Sequence, residues 1–227
     1  MSERAQAILN QLIALANPAS VAGMARYGIN PQNTLGISIP VLRQMAKETG
    51  KDHQLAQELW DSGIHEARIL AAYIDDPKQV TEDQMERWAS DLDSWDLCDQ
   101  LCNNLFDRVP YTYSKILDWC ARKETFVKRA GFVLMATLAV HDKHLNEDQL
   151  EKFLPIILGE ATDERNYVKK AVNWALRQIG KRNRSLNLRA IQTATQIAQI
   201  DNKTAHWIAS DALYELTSEK IQSRLKD

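Results

Sequence analysis

The sequence has few of the residues that interrupt helices or cross-link chains. Its 227 residues include eight glycines, six prolines and three cysteines. A small, odd number of cysteines argues against a disulfide framework and is typical of the reducing cytosol. No run approaches the ~20 apolar residues that span a bilayer, and the start, MSERAQAILNQL, lacks the apolar region of a signal peptide. We therefore expect a cytoplasmic protein.

The net charge of −2 hides a strong segregation of charge along the chain. Residues 52–99 contain thirteen acidic and three basic side chains. Residues 163–191 reverse this balance, with Asp163 and Glu164 against a basic set: Arg165, Lys169, Lys170, Arg177, Lys181, Arg182, Arg184 and Arg189. Such a segment is either a solvated surface or a face that meets an anionic polymer.

Helical periodicity covers nearly the whole chain, and no stretch alternates convincingly as a strand. Thr81 and Asn146 are each followed three residues later by a glutamine, which is the pattern of a helix N-cap with its partner. The sequence therefore predicts an all-α fold.

Four helical segments resemble one another: HEARILAAYI (65–74), TFVKRAGFVLM (125–135), NYVKKAVNWAL (166–176) and HWIASDAL (206–213). Their spacing of roughly 40 residues, with one wider step, is typical of helix-pair repeats such as HEAT, which stack into a solenoid with a concave face. The alternative is that alanine-rich amphipathic helices resemble one another by chance. We predict one repeat domain over residues 1–227, with a helical cap at 1–34, repeats at 35–216 and a tail at 217–227.

The stretch DSWDLCDQLC carries an unusual helical face. One stripe has Trp95, Cys98, Asp99 and Cys102, whereas Leu97, Leu101 and Leu105 form the natural core stripe. A carboxylate one turn after an indole indicates either an awkward surface or the lining of a site. Further ligands that would complete a metal site with the two cysteines are missing, so we expect no metal there.

The segment NYVKKAVNWALRQIGKR has an apolar face opposite a mixed one. The predicted core positions are Val168, Ala171, Val172, Ala175, Leu176 and Ile179, and the opposite stripe is Lys170, Trp174, Arg177 and Lys181. Cations interleaved with an aromatic ring suit nucleic acid, because the cations bind phosphates and the ring packs on a sugar or base. The alternative is a tryptophan covered by a neighbouring helix with lysine stems around it.

Arg129 lies in a segment, FVKRAGFVLMATLAV, that is otherwise apolar over most of its circumference. We expect Lys128 to reach solvent and Arg129 to point at an anion. That anion is either Asp99 or a phosphate, and a purely structural ion pair between repeats is equally open.

Three motifs in this order, SWDLCDQ, FVKRAGFVLMA and DERNYVKKAVNWALRQIGKRN, resemble the AlkD-type DNA alkylation repair family. The similarity runs from about Leu35 to Leu216. It implies a HEAT-like solenoid whose members remove cationic N3- and N7-alkylated purines from double-stranded DNA, without a metal or other cofactor. Carried over by motif, the catalytic residues are Asp99, Trp95 and Trp174, and Arg129 holds DNA.

The resemblance and the basic segment together predict a monofunctional DNA glycosylase acting as a monomer. The predicted DNA-binding side chains are Arg129, Lys128, Lys169, Lys170, Arg177, Lys181 and Arg182. Asp99 would stabilise the positive charge that develops on the sugar and position the attacking water. The alternative is a non-catalytic repeat module that binds DNA, or scaffolds proteins, through the same concave face.

Overall fold

The structure, a computed structural model, describes residues 1–226, and every regular element in that range is helical. This confirms the predicted all-α fold. The chain divides into two compact units. The N-terminal unit, Met1–Thr112, contains seven α-helices and a 3-10 turn at Phe106–Arg108. Its helices are α1 (Glu3–Ala14), α2 (Pro18–Arg26), α3 (Ile39–Thr49), α4 (His53–Asp61), α5 (His65–Ile74), α6 (Glu82–Ser90) and α7 (Trp95–Asn104).

The C-terminal unit begins at Tyr113, one residue into α8 (Thr112–Trp119). The remaining helices are α9 (Thr125–His141), α10 (Glu147–Glu151), α11 (Leu154–Gly159), α12 (Asn166–Gly180), α13 (Arg184–Ile197), α14 (Lys203–Leu216) and α15 (Glu219–Gln222). The four similar segments of the sequence fall within α5, α9, α12 and α14. Both predicted caps also form. Thr81 accepts a hydrogen bond from the Gln84 amide, and Asn146 and Gln149 bond reciprocally.

The core of the N-terminal unit is organised around α5, which packs against α3, α4 and α7. Beside it, the rings of Trp60 and Trp88 stack with centroids 4.0 Å apart and planes 2° apart. The indole nitrogen of Trp60 donates to Asp91 at 2.8 Å, so the buried ring keeps a partner for its polar atom.

A buried carboxylate on α5 holds the chain between α2 and α3. Glu66 is wholly buried and accepts hydrogen bonds from the backbone amides of Leu35, Gly36 and Ile37, at 2.8, 2.6 and 3.2 Å. Gly36 adopts a φ of +81°, and a Cβ there would lie 2.3 Å from the carbonyl oxygen of Asn17. The close approach and the positive φ both require glycine at this position.

In the C-terminal unit α12 packs between α9 and α14. The six positions predicted to form its core face, from Val168 to Ile179, are all wholly buried. The prediction of that face from helical periodicity is therefore confirmed, because packing on two sides leaves one stripe of α12 for solvent.

No single helix in residues 1–226 has both the length and the hydropathy of a membrane span. Within the same range, α1 and α2 taken together have the length and composition of a span, and the chain bends by 83° between them.

Candidate functional site

The first two turns of α7 present Trp95 and Asp99, both half-buried and four residues apart on the helix. Leu97, Leu101 and Leu105 are wholly buried, as their stripe predicts. Cys98 and Cys102 are also wholly buried, so the expectation that they share an open face with Trp95 and Asp99 is wrong. The reason is the packing of α7 against α5 and the 3-10 turn, since Cys102 lies only about 20° around the helix from Trp95. The part of α7 open to a ligand is narrower than the sequence indicates.

Trp95 is fixed by a contact that the side-chain pattern does not reveal. Its indole nitrogen donates a hydrogen bond to the backbone carbonyl oxygen of Tyr27, at 3.0 Å. Tyr27 follows α2, and its side chain is 78% exposed. The acceptor is a carbonyl group, which every residue carries, so no sequence signal could have predicted this pairing. The end of α2 is thereby joined to Trp95.

Behind Trp95, a histidine and a carboxylate join α5 to the first turn of α7. His65 Nε2 and Asp96 Oδ2 are 2.9 Å apart, and His65 is buried. Burial by itself lowers the pKa of His65, but the hydrogen bond and charge of Asp96 outweigh it, and the pKa is raised. Burial likewise acts to raise the pKa of Asp96, yet its bond to His65 prevails and the pKa is lowered. The pair positions the turn that carries Trp95.

The two cations of α9 are buried and engaged within the C-terminal unit. Lys128 lies 2.6 Å from Glu160 and 3.8 Å from Asp163, and the residue is only 8% exposed. The expectation that Lys128 reaches solvent is therefore wrong, because α9 is covered around nearly its whole circumference. Arg129 donates to the carbonyl oxygen of Tyr167 at 2.6 Å.

The outward stripe of α12 begins with the predicted cation and aromatic pair. Lys170 is exposed, and Trp174, one turn later, is half-buried. Among the described residues, no hydrogen bond or ion pair involves either side chain. Trp174 is therefore partly covered and partly open, and its role in binding nucleic acid stays a prediction.

The rest of the basic segment is largely engaged inside the C-terminal unit. Arg177 and Lys181 bond to Glu215 at 2.7 and 2.9 Å, and Arg177 also lies 3.4 Å from Asp211. Arg182 donates to the carbonyl oxygens of Ala139 and Asp142 at the end of α9. Lys169 Nζ lies 5.6 Å from the centroid of the Trp207 ring. These partners are far away in sequence. The run of basic residues therefore predicts a basic surface open to a ligand, although most of these cations have partners within the unit.

The predicted site residues fall in both compact units. Trp95 and Asp99 belong to the N-terminal unit, and Arg129 and Trp174 belong to the C-terminal unit. Their convergence on one concave face stays a prediction. Within residues 1–226, no group of three or more His, Cys, Asp or Glu side chains could hold a metal ion.

The chain is related to known proteins both in sequence and in fold. Residues 8–216 match the family model of the DNA alkylation repair enzymes. No curated protein sequence matches the chain. A solved structure superposes with a TM-score of 0.80 over 97% of this chain and 95% of the other, at 19% identity. It is described as a new family of proteins related to the HEAT-like repeat DNA glycosylases with affinity for branched DNA structures. This likeness shows a HEAT-like repeat fold.

Proposed function

Because this chain belongs to the family of DNA alkylation repair enzymes, we propose that it is a monofunctional glycosylase for N3- and N7-alkylated purines in DNA. The observation that carries the proposal is the position of Asp99 on α7, one turn after an indole that is held by the Tyr27 carbonyl group. A carboxylate beside an aromatic ring supplies what cleavage of a cationic nucleotide requires.

Alkylation at N3 or N7 makes the purine cationic and turns it into a good leaving group. When the bond from C1′ to the base breaks, both electrons leave with the purine, which becomes neutral. Positive charge then develops on the deoxyribose. The Asp99 carboxylate stabilises that charge and orients a water molecule, which attacks C1′ and loses its proton to the carboxylate or to solvent. A single carboxylate suffices because the leaving group needs no proton.

The two tryptophans act through the faces of their rings. An indole face attracts a cation and packs on deoxyribose without competing as a nucleophile. In the N-terminal unit, the bond to Tyr27 fixes the plane of Trp95 before DNA arrives, which lowers the entropy lost on binding. In the C-terminal unit, the half-buried Trp174 contacts the duplex with its exposed side.

The seven predicted cations would contribute unequally to binding of the phosphates. Lys170 is exposed and can bind a phosphate without losing a partner. Arg177 and Lys181 would first have to share or leave Glu215, and Lys128 would have to leave Glu160. Arg182 holds two carbonyl oxygens of the chain itself. Lys170 therefore carries the largest share of the salt-dependent affinity in this proposal.

The test is release of 7-methylguanine from duplex DNA, with abasic sites revealed by alkali and spontaneous depurination as the baseline. Asp99→Asn should lower the rate by roughly 10²- to 10⁴-fold. Asp61→Asn is the matched control, because Asp61 is an exposed aspartate of the same unit. Circular dichroism would verify that both variants fold. Unchanged release by Asp99→Asn would contradict the assignment of the carboxylate.

The second candidate is a DNA-binding repeat module without catalysis. It is favoured by the likeness in fold to a protein with affinity for branched DNA structures. In that case the wild type would bind duplex or junction DNA but release no base above the baseline. Lys170→Ala would weaken binding, whereas Asp99→Asn would leave it unchanged.

A further inference from the structure

The outer face of α14 exposes two aromatic rings that the proposed chemistry does not use. Trp207 is 40% exposed and Tyr214 is 82% exposed. Seven residues separate them, so they lie on one face, about 10.5 Å apart along the helix axis. Between them the same face carries Ser210, which is exposed and small. The two exposed rings are therefore separated by a small residue, which leaves space between them for a ligand.

The rotation of α14 that exposes these rings is fixed by its contacts with α12. Asn173 donates to Asp211 at 2.6 Å, and Arg177 bonds to Glu215 at 2.7 Å. One turn before Asp211, the ammonium group of Lys169 lies over the Trp207 ring. These contacts hold Asp211 and Glu215 towards α12. Tyr214 therefore has to point away from the core.

The charges around the two rings favour an anionic partner. Lys169 lies directly at Trp207, and the exposed Lys203 is one turn before it on the same face of α14. The carboxylates of Asp211 and Glu215 are already occupied by Arg177, Lys181 and Asn173. The free charges at this face are thus mainly positive.

We propose that α14 binds unpaired nucleotides of DNA, with Trp207 and Tyr214 as stacking platforms for two bases and with Lys169 and Lys203 on the phosphates. In a duplex the faces of the bases are covered by their neighbours, so a ring on a helix surface can stack only on a base that is unpaired. Nucleotides of a stacked strand are spaced about 3.4 Å apart, so two rings about 10.5 Å apart can serve bases of the same strand. This inference rests on the proposed binding of DNA and adds a second site to it.

The test compares binding of a blunt duplex with binding of the same duplex carrying a ten-nucleotide thymidine overhang, by fluorescence anisotropy. The wild type should prefer the overhang. Trp207→Ala and Tyr214→Ala should each lower affinity for the overhang substrate by roughly 5- to 100-fold. Trp207→Phe should retain part of the preference, because it keeps a ring. Affinity for the blunt duplex should not change.

Leu188→Ala is the control, since Leu188 on α13 is an exposed apolar residue of the same unit, 63% exposed. Equal affinity of the wild type for both substrates would overturn the inference. A wild type that dimerises in sedimentation, with a monomeric Trp207→Ala/Tyr214→Ala variant, would also overturn it, because a second copy would cover the face. Base release from the blunt duplex is measured in parallel. If the wild type prefers the overhang but releases no base, only the proposed glycosylase activity is refuted. If the wild type releases bases but shows no preference for the overhang, only this second site is refuted.

Discussion

The indole nitrogen of Trp95 donates a hydrogen bond to the carbonyl oxygen of Tyr27, and this bond joins the start of α7 to the end of α2. The bond links the predicted catalytic helix to the N-terminal segment. That segment is in turn held by Glu66, whose carboxylate accepts three amide hydrogen bonds from residues 35–37. The position of Trp95 therefore depends on contacts more than 50 residues away in sequence.

Trp95→Phe should lower the free energy of unfolding by about 0.5–1.5 kcal/mol, the usual net value of one hydrogen bond. The substitution keeps an aromatic ring, removes the donor and makes the ring smaller, so a second Trp→Phe variant is needed to account for the change of size. Trp207→Phe is the control, because no hydrogen bond of the Trp207 indole is found in residues 1–226. Urea unfolding of both variants would measure the difference. An equal loss in the two would show that the bond to Tyr27 contributes nothing.

Glu66→Ala should destabilise the N-terminal unit strongly. The change leaves three backbone amides without their acceptor, and each buried donor left without an acceptor costs about 1–3 kcal/mol. Thermal unfolding measures the loss, and hydrogen exchange at residues 35–37 locates it. Glu164→Ala, at an exposed glutamate, should have little effect. Unchanged protection of those amides in Glu66→Ala would contradict the anchoring role.

The pair of His65 and Asp96 should make stability depend on pH. The folded pKa of His65 is raised, so its contribution is fully present below about pH 6.5 and is lost as the pH rises through the folded value. The folded pKa of Asp96 is lowered, so its contribution is present above about pH 3.9 and is lost as the pH falls through the folded value. The pair should thus stabilise most between about pH 4 and 6.5.

His65→Gln should flatten the decline of stability as the pH rises above about 6.5, because the raised folded pKa of His65 is the source of that decline. Urea unfolding at a series of pH values measures this slope. His206→Gln, at an exposed histidine of α14, is the control. A slope that is the same in His65→Gln and the wild type would show that His65 does not titrate in this range.

Glu215→Gln should strengthen binding to DNA. Glu215 neutralises both Arg177 and Lys181, and burial acts to raise its pKa, but these two cations outweigh burial and lower the pKa. Removing the negative charge releases the cations for phosphates. Each new phosphate contact should steepen the plot of log affinity against log salt by about 0.9. Glu219→Gln, at an exposed glutamate of α15, should change neither affinity nor slope. Equal slopes in the two variants would show that Arg177 and Lys181 do not reach DNA.

Gly131→Ala should destabilise the C-terminal unit by about 1–3 kcal/mol, the usual range for overpacking. A Cβ at Gly131 of α9 would lie 2.9 Å from the amide nitrogen of Cys120 and 2.7 Å from its sulfur. Since one of these atoms is backbone, α8 would have to shift. Gly23→Ala in α2 meets no atom within 4 Å and should be neutral or stabilising. A neutral result for Gly131→Ala would mean that the two helices separate easily.

Features that depend only on residues close together in sequence, such as the buried face of a helix or its N-cap, were predicted correctly. The periodicity of α12 identified its core face, and the spacing of Asn146 and Gln149 identified a capping box. Both depend only on residues within a few turns of one another. The leucine stripe of α7 was correct for the same reason.

The details of the candidate site depend on distant partners and could not be predicted in this way. The sequence shows Lys128 beside Arg129, but not that Glu160 and Asp163 lie over it in the fold. Nor does it show that Tyr27 presents a carbonyl oxygen to Trp95. Charge runs indicate which residue types are present, whereas tertiary packing decides which charges remain open to a ligand.

The contacts between neighbouring repeats share one separation in sequence. Arg129 bonds to Tyr167, Asn173 to Asp211 and Arg177 to Glu215, each across 38 residues. A deletion of one residue inside α12 would rotate its later part by about 100°, as follows from 3.6 residues per turn. Such a deletion would disconnect Asn173 and Arg177 from their partners together. An insertion in the connection at residues 198–202 would increase the sequence separation of these partners beyond 38 and leave both bonds in place. Variation in length among related chains should therefore accumulate in the connections between helices, whereas α9, α12 and α14 should keep a constant length.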